Sequence, residues 1–317
     1  MNLAVLVIGY SRPTGITNLI KSLTLHGITR IYLSLDGPKD RRDIENQRVI
    51  HDEINRHSLN EGVQITVLKQ ELNLGIAVAV IGAIDWFFLQ EECGLILEDD
   101  LLISSDFLKF ADLCLKEYKD NPDVWMISGS QLLSNYSSKS ETIWMNYPMI
   151  WGWATWAQKW REMRSSLIQD KKTTFLQSLN YRYSYWKVGA KRVLSGKVDT
   201  WDTPLAFEFR VQHKFCILPP INLVSNIGFD EMASNTTSVG NGVGTPIEKI
   251  KELITLTLDP DINQVKSYNL KLESHIFKIR FRHLFLPYYS FLFDDFKFPR
   301  NMRKDRLKER IKLFKVP

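Results

Sequence analysis

The chain has 317 residues, 44% of them hydrophobic and 12% aromatic, which is enough apolar material for a full core and excludes wholesale disorder. The formal net charge of +5 is uneven: residues 266 to 317 hold fourteen Lys and Arg against five Asp and Glu, a balance of +9, leaving residues 1 to 265 at −4. Cys93, Cys114 and Cys216 stand far apart with no paired spacing, so neither a zinc site nor a disulfide framework is expected.

Leu3 to Ile8 is an apolar run of β type. It lacks the basic flank and small-residue cleavage site of a signal peptide and reads as a first strand, with a reducing cytoplasm as the expected setting. Gly9-Tyr-Ser-Arg-Pro-Thr14 breaks the run before an amphipathic helix over residues 15–25. Ile31 to Leu35 is a second strand ending at the turn pair Asp36-Gly37; a charged helix over residues 39–57 and a third strand, Gln64 to Leu68, follow. This β-α-β-α-β order predicts a parallel sheet with crossover helices. Asn73-Leu-Gly75 then opens the apolar run Ile76 to Leu89, which is broken by Asp85 and is too short for the ~20 residues of a spanning helix. A helix apolar on all sides belongs inside the protein.

The next stretch, Gly94-Leu-Ile-Leu-Glu-Asp-Asp100, puts Glu98, Asp99 and Asp100 side by side after a short buried strand over Leu95 to Leu97. Like charges repel, so a partly buried triplet asks for a positive partner. At the carboxyl end of a strand in an α/β sheet, where ligands bind, a divalent cation with substrate phosphates would supply it. The plainer reading is a solvated acidic turn. Phe107, Phe110, Ala111, Cys114, Leu115 and Tyr118 then recur on one face of a helix, with Ser104 or Ser105 placed to cap it, and Trp125 to Gly129 reads as another strand.

Seven of the nine tryptophans fall between residues 144 and 201, including Trp151-Gly-Trp-Ala-Thr-Trp156 and Trp160. Indoles this dense form a core or a platform for sugar rings. Asp199-Thr-Trp-Asp-Thr-Pro204 precedes a helix over residues 205–212; a strand over 215–219, the run Ile221 to Gly228 and a polar loop through Thr237 follow. Residues 238–244, rich in glycine, read as a lid or linker. The last stretch sets Leu307, Ile311 and Phe314 on one face of a basic amphipathic helix, which suits either a membrane surface or packing on the main domain. The aromatics there do not form a stacking platform, so nucleic acid is not an expected partner.

Taken in order, the first strand with Ser11-Arg12-Pro13, the second ending at Asp36, Asn73-Leu-Gly75, Leu97-Glu-Asp-Asp100, the tryptophan run, Trp201-Asp202 and Pro219 to Phe229 resemble the GT-A nucleotide-diphospho-sugar transferases. The likeness is to a bacterial group related to the N-acetylglucosaminyltransferase that initiates branching of N-glycans. It implies a GT-A-type α/β fold with a mostly parallel sheet and a catalytic domain over residues 1–237, in which residues 1–130 bind the nucleotide sugar and residues 131–237 the acceptor. Residues 238–317 would form an extension. It also implies an inverting hexosyl or N-acetylhexosaminyl transfer from a nucleotide sugar, such as a UDP-sugar, with Mn²⁺ or Mg²⁺, to a saccharide or lipid-linked acceptor in polysaccharide or glycoconjugate synthesis.

By position, the resemblance makes Asp100 the metal ligand, Asp99 a donor contact, and Glu98 a neighbour of the sugar. Arg12, Asp36 and Asn73 fall near the nucleotide, and Trp151, Trp153 and Trp201 near the acceptor. Asp202 takes the place of the catalytic base, with Asp199 and Glu98 as alternatives, because the related animal enzyme uses the second of two acids where this chain has Thr203. Many relatives carry a histidine in the loop after Gly228; Asn235 stands there instead, and His213 reads as a surface residue. Two other functions share some of this pattern. A nucleotidyltransferase making nucleotide sugars would use the same sheet and metal, although Gly9-Tyr-Ser-Arg-Pro13 offers only one glycine and one base for a triphosphate. A non-enzymatic protein binding acidic polymers would rest on the basic tail.

Overall fold

The computed structural model of the chain describes residues 3–133, 136, 140–167, 180–228 and 245–280. Its strands are β1 (Ala4–Gly9), β2 (Arg30–Leu35), β3 (Gln64–Lys69), β4 (Cys93–Glu98), β5 (Leu101–Ile103), β6 (Val124–Ser128), β7 (Ile143–Met145), β8 (Trp153–Trp156), β9 (Phe215–Leu218) and β10 (Val224–Asn226). Eight of them form one sheet in the order β3-β2-β1-β4-β8-β6-β9-β7, and β5 pairs antiparallel with β10 beside it. β3, β2, β1 and β4 are parallel neighbours, as are β6 and β9; β8 and β7 run against them. The expected α/β fold with a large, mostly parallel sheet flanked by helices is therefore present.

Alternation along the strands divides the apolar residues between two layers, because successive side chains of a strand point to opposite faces. Ala4, Leu6 and Ile8 of β1 join one core with Tyr32 and Ile96; Val5 and Val7 join the other with Leu33, Leu95 and Leu97. The first layer is closed by α3 (Ile76–Phe87), α5 (Ala157–Ser166), α6 (Tyr181–Leu194) and α7 (Asp202–Val211). The second is closed by α1 (Pro13–Leu25), α2 (Arg41–Glu61) and α4 (Ser105–Glu117). α1 starts two residues earlier than its periodicity suggests, since Pro13 suits the first turn, where its missing N–H costs nothing. Ser104 caps α4 by accepting the Phe107 amide at 3.1 Å. α3 is buried almost all round as expected, and Asp85 within it accepts from Trp160 Nε1 and Arg164 Nε at 2.8 Å each.

Within the tryptophan run, Trp153–Trp156 forms β8, wedged antiparallel between β4 and β6. The indole N–H groups are satisfied internally: Trp144 by Thr257, Trp156 by the Leu115 carbonyl, Trp125 by Glu162 and Trp186 by Tyr147. α8 (Ile262–Lys271) and the π-helical turn Leu272–Ile276 pack on the sheet, with Tyr268 and Leu272 fully buried and the Tyr268 hydroxyl donating to Gln131 at 2.9 Å. Residues 245–280 thus pack against the sheet and its core. The loop after Gly228 with Asn235, residues 238–244 and the basic helix of Leu307, Ile311 and Phe314 lie outside the described residues. No helix among the described residues is long and apolar enough to cross a membrane.

Lys159 of α5 ends α4. Its Nζ donates to the carbonyls of Tyr118 and Asn121 at 2.7 and 2.9 Å and sits 3.6 Å over the Trp156 ring. Burial pushes this ammonium down to about 8. The unfolded chain, with an ordinary lysine, then binds more protons between about pH 8 and 10, so this group makes stability rise with pH in that window. Denaturant titrations should show wild type gaining about 1 kcal/mol over Lys159→Met from pH 8 to 10, after allowance for solvent screening. A difference that stays flat with pH would show that Lys159 does not titrate there.

Candidate active site at the carboxyl end of the sheet

β1 has β2 on one side and β4 on the other, so the crossovers leave in opposite directions and open a crevice at the carboxyl ends of β1 and β4. The two segments that emerge there meet. Arg12, the residue before α1, places Nη1 3.3 Å from Asp99 Oδ1 and 3.2 Å from Asp100 Oδ2, and the Tyr10 amide donates to Asp99 Oδ2 at 3.3 Å. These contacts are longer than the 2.7–2.9 Å of tight charge-assisted bonds. The side chains of Arg12, Asp99 and Asp100 expose 18, 11 and 20% of their surface, so a ligand reaches them although most of their water has gone.

Removal of water makes the negative charge costly. Burial, followed by Asp100, raises Asp99 to about 6, against the pull of Arg12 and the Tyr10 amide. Glu98 is pushed higher, to about 8, by burial first and then by Asp100, Asp99 and Asp202, with Arg12 opposing. One guanidinium does not balance this group of acids; a further cation at the same place would.

Two glycines that had no assigned role make room for the turn. The Ile227 amide donates to the Asp100 carbonyl at 2.9 Å, continuing the β5–β10 pairing and bringing Gly228 over the acid. A Cβ on Gly228 would lie 2.1 Å from Asp100 Oδ2, and one on Gly15 would lie 2.4 Å from the Asp99 carbonyl oxygen. Neither glycine is needed for an unusual backbone angle; each is needed for space. Nothing in an isolated sequence marks Gly15, while Gly228 sits inside the run Ser225-Asn-Ile-Gly228 that carries some of the family likeness.

Asp36 is nearly buried, and its carboxylate is fully engaged. Oδ1 accepts the amides of Gly37 and Leu74 at 2.9 and 2.8 Å; Oδ2 accepts Asn73 Nδ2 and the Gly75 amide at 2.9 and 3.2 Å. Burial raises its pKa while the three amides lower it. Four donors fill the four lone-pair positions of the Asp36 carboxylate, so Asp36, with Asn73, holds the loop ahead of α3.

On the other side of the crevice, Trp201-Asp202 acts as an anchor and its load. Trp201 and Trp153 are 2% and 1% exposed and stack on each other at 5.8 Å with 25° between planes. Of the three indoles expected near the acceptor, these two lie buried in the core, and Trp151 is half-exposed. Asp202, the first residue of α7, stays half-exposed, accepts a hydrogen bond from Thr200 Oγ1, and is near enough for its charge to act on Glu98. Asp199 accepts the Ala77 amide at 3.2 Å. His213 lies just past α7 with φ 53, exposed and away from these residues.

Among the described residues no cluster of three or more His, Cys, Asp and Glu is arranged to hold a metal unaided. The donor set that is present, two adjacent carboxylates facing one guanidinium, fits a cation that takes one or two carboxylates and draws its other ligands from substrate phosphates.

No family model and no curated protein matches the chain. Among solved structures it is similar to HddC from Yersinia pseudotuberculosis (13% identity, 50% of this chain and 78% of that one, TM-score 0.32). It is also similar to mannose-1-phosphate geranyltransferase from Thermus thermophilus (11%, 69% and 74%, TM-score 0.33). A third is a Bacillus anthracis protein described as a glucose-1-phosphate thymidylyltransferase (13%, 53% and 76%, TM-score 0.31). At these scores the likeness carries no argument about chemistry, and the site rests on its own geometry.

Proposed function

We propose that this chain is a metal-dependent enzyme of nucleotide-sugar chemistry, and that it transfers the sugar of a nucleoside diphosphate donor to a saccharide or lipid-linked acceptor with inversion. The observation that supports this best is the meeting of Arg12 with Asp99 and Asp100 at the crevice, with Asp202 across from Glu98. Arg12 donates to the donor's diphosphate. Asp100, assisted by Asp99, would hold Mn²⁺ or Mg²⁺, and that ion would supply Lewis-acid stabilisation of the charge on the diphosphate. Glu98 lies beneath the sugar. The acceptor oxygen bonds to the anomeric carbon as the bond to the diphosphate oxygen breaks, the diphosphate leaves with the electron pair, and Asp202 takes the acceptor's proton.

The test is a panel of nucleotide sugars with Mn²⁺, read by thermal shift and then by hydrolysis and transfer, with EDTA abolishing both. Gly228→Ala adds a further check, because its new methyl meets the Asp100 carboxylate. Titration calorimetry with UDP and Mn²⁺ should show affinity falling about tenfold with the circular dichroism unchanged, a cost of about 1.4 kcal/mol, within the range of overpacking. Unchanged affinity would take the cation away from Asp100.

The second reading is nucleotidyl transfer, the activity for which the Bacillus anthracis neighbour is named. The same sheet and acids would serve it. Release of pyrophosphate from a sugar 1-phosphate and a nucleoside triphosphate, with no sugar transfer, would establish it in place of the first.

A further inference from the structure

The loop between α6 and α7 reaches the nucleotide half of the sheet through Asp199, whose Oδ1 accepts the Ala77 amide at 3.2 Å across 122 residues of sequence. Ala77 is the second residue of α3, and the first four amides of a helix have no acceptor within it. Just before it, the amides of Leu74 and Gly75 are both given to Asp36. The entry to α3 is thus gripped by two carboxylates from opposite sides, Asp36 at the end of β2 and Asp199 from the α6–α7 loop. Negative groups are favoured at this end of a helix, and here the protein's own side chains fill the place where a phosphate could otherwise bind. Asp202 follows three residues after Asp199, with Trp201 between them anchored on Trp153.

We propose that Asp199 is a positioning residue: by tying the α6–α7 loop to the first turn of α3, it fixes Asp202 at a set distance from the nucleotide half of the crevice. The inference rests on the proposed function in taking Asp202 as the base. It also separates Asp199 from that role, because what the link needs is an acceptor oxygen and not a group that takes a proton. A neutral amide oxygen fills the same place.

Asp199→Asn and Asp199→Ala test this together. The Asn variant should keep kcat within about threefold of wild type, while the Ala variant loses about tenfold or more in kcat with the donor KM moving less than about threefold. Amide hydrogen exchange supplies a readout independent of activity. The Ala77 amide and the first-turn amides of α7 should exchange about tenfold faster in the Ala variant and near the wild-type rate in the Asn variant. Exchange unchanged at Ala77 in the Ala variant, or faster at Ala77 alone with α7 unaffected, overturns the coupling. An Asn variant as slow as the Ala variant, with Ala77 still protected, overturns it in favour of a chemical role for the carboxylate. If wild type transfers no sugar at all, the proposed function fails on that assay, and the exchange at Ala77 and α7 still decides the link.

Discussion

Asp100→Ala is expected to lower metal-dependent turnover by ~10³-fold or more while leaving the protein folded. The side chain sits on the turn after β4 with a fifth of its surface exposed, so its loss opens no apolar cavity. What it removes is an oxygen donor from the place where burial and neighbouring acids make a cation most wanted. The loss should therefore be steepest at limiting Mn²⁺ and should shrink as the metal is raised. Asp99→Ala should cost less, since one Asp99 oxygen already accepts the Tyr10 amide. Transfer rates measured across a Mn²⁺ titration distinguish the two. An Asp100→Ala enzyme with wild-type turnover at every metal concentration would falsify the metal role.

Asp202→Asn should lower kcat by ~10²-fold or more and leave donor affinity within a factor of about two. The substitution keeps the shape of the side chain and its hydrogen bond from Thr200, and the anchor beneath it is untouched because Trp201 stays stacked on Trp153. Only the capacity to take a proton is lost. Calorimetry of nucleotide binding beside steady-state transfer separates binding from chemistry. Wild-type kcat in this variant would move the base to Glu98, the other acid facing the crevice.

The sequence made the parallel half of the sheet legible because β1, β2 and β4 are runs of Val, Ile and Leu bounded by turn residues, and α3 because its one charged residue falls near its end. The acidic turn was legible for an electrostatic reason, since Glu98-Asp-Asp100 after an apolar strand demands a counter-charge. The counter-charge in the fold is Arg12, adjacent in space and 88 residues away in sequence. Other features gave weaker signals. Four tryptophan, alanine and threonine residues make a strand as readily as a platform, and only pairing with β4 and β6 decides it. That the Asn73–Gly75 loop folds back onto the Asp36 oxygens is likewise invisible locally, since the partners lie 37 to 39 residues away. Gly228 matters through one distance to one oxygen, and no local pattern encodes that.

β8 carries a consequence for how the molecule is assembled. It lies between β4 and β6, yet it is synthesised after both, so the edge of β4 stays open until residues 153–156 enter it. The first four strands, with Arg12 and the acidic turn, are all made before β8, although β1 and β4 themselves pair across a long separation, Val5 opposite Leu95. Trp201 has no partner to stack on until Trp153 is seated, so Asp202 takes its place only after that late insertion. During biosynthesis the crevice would thus acquire Arg12 and the acidic turn before it acquires Asp202.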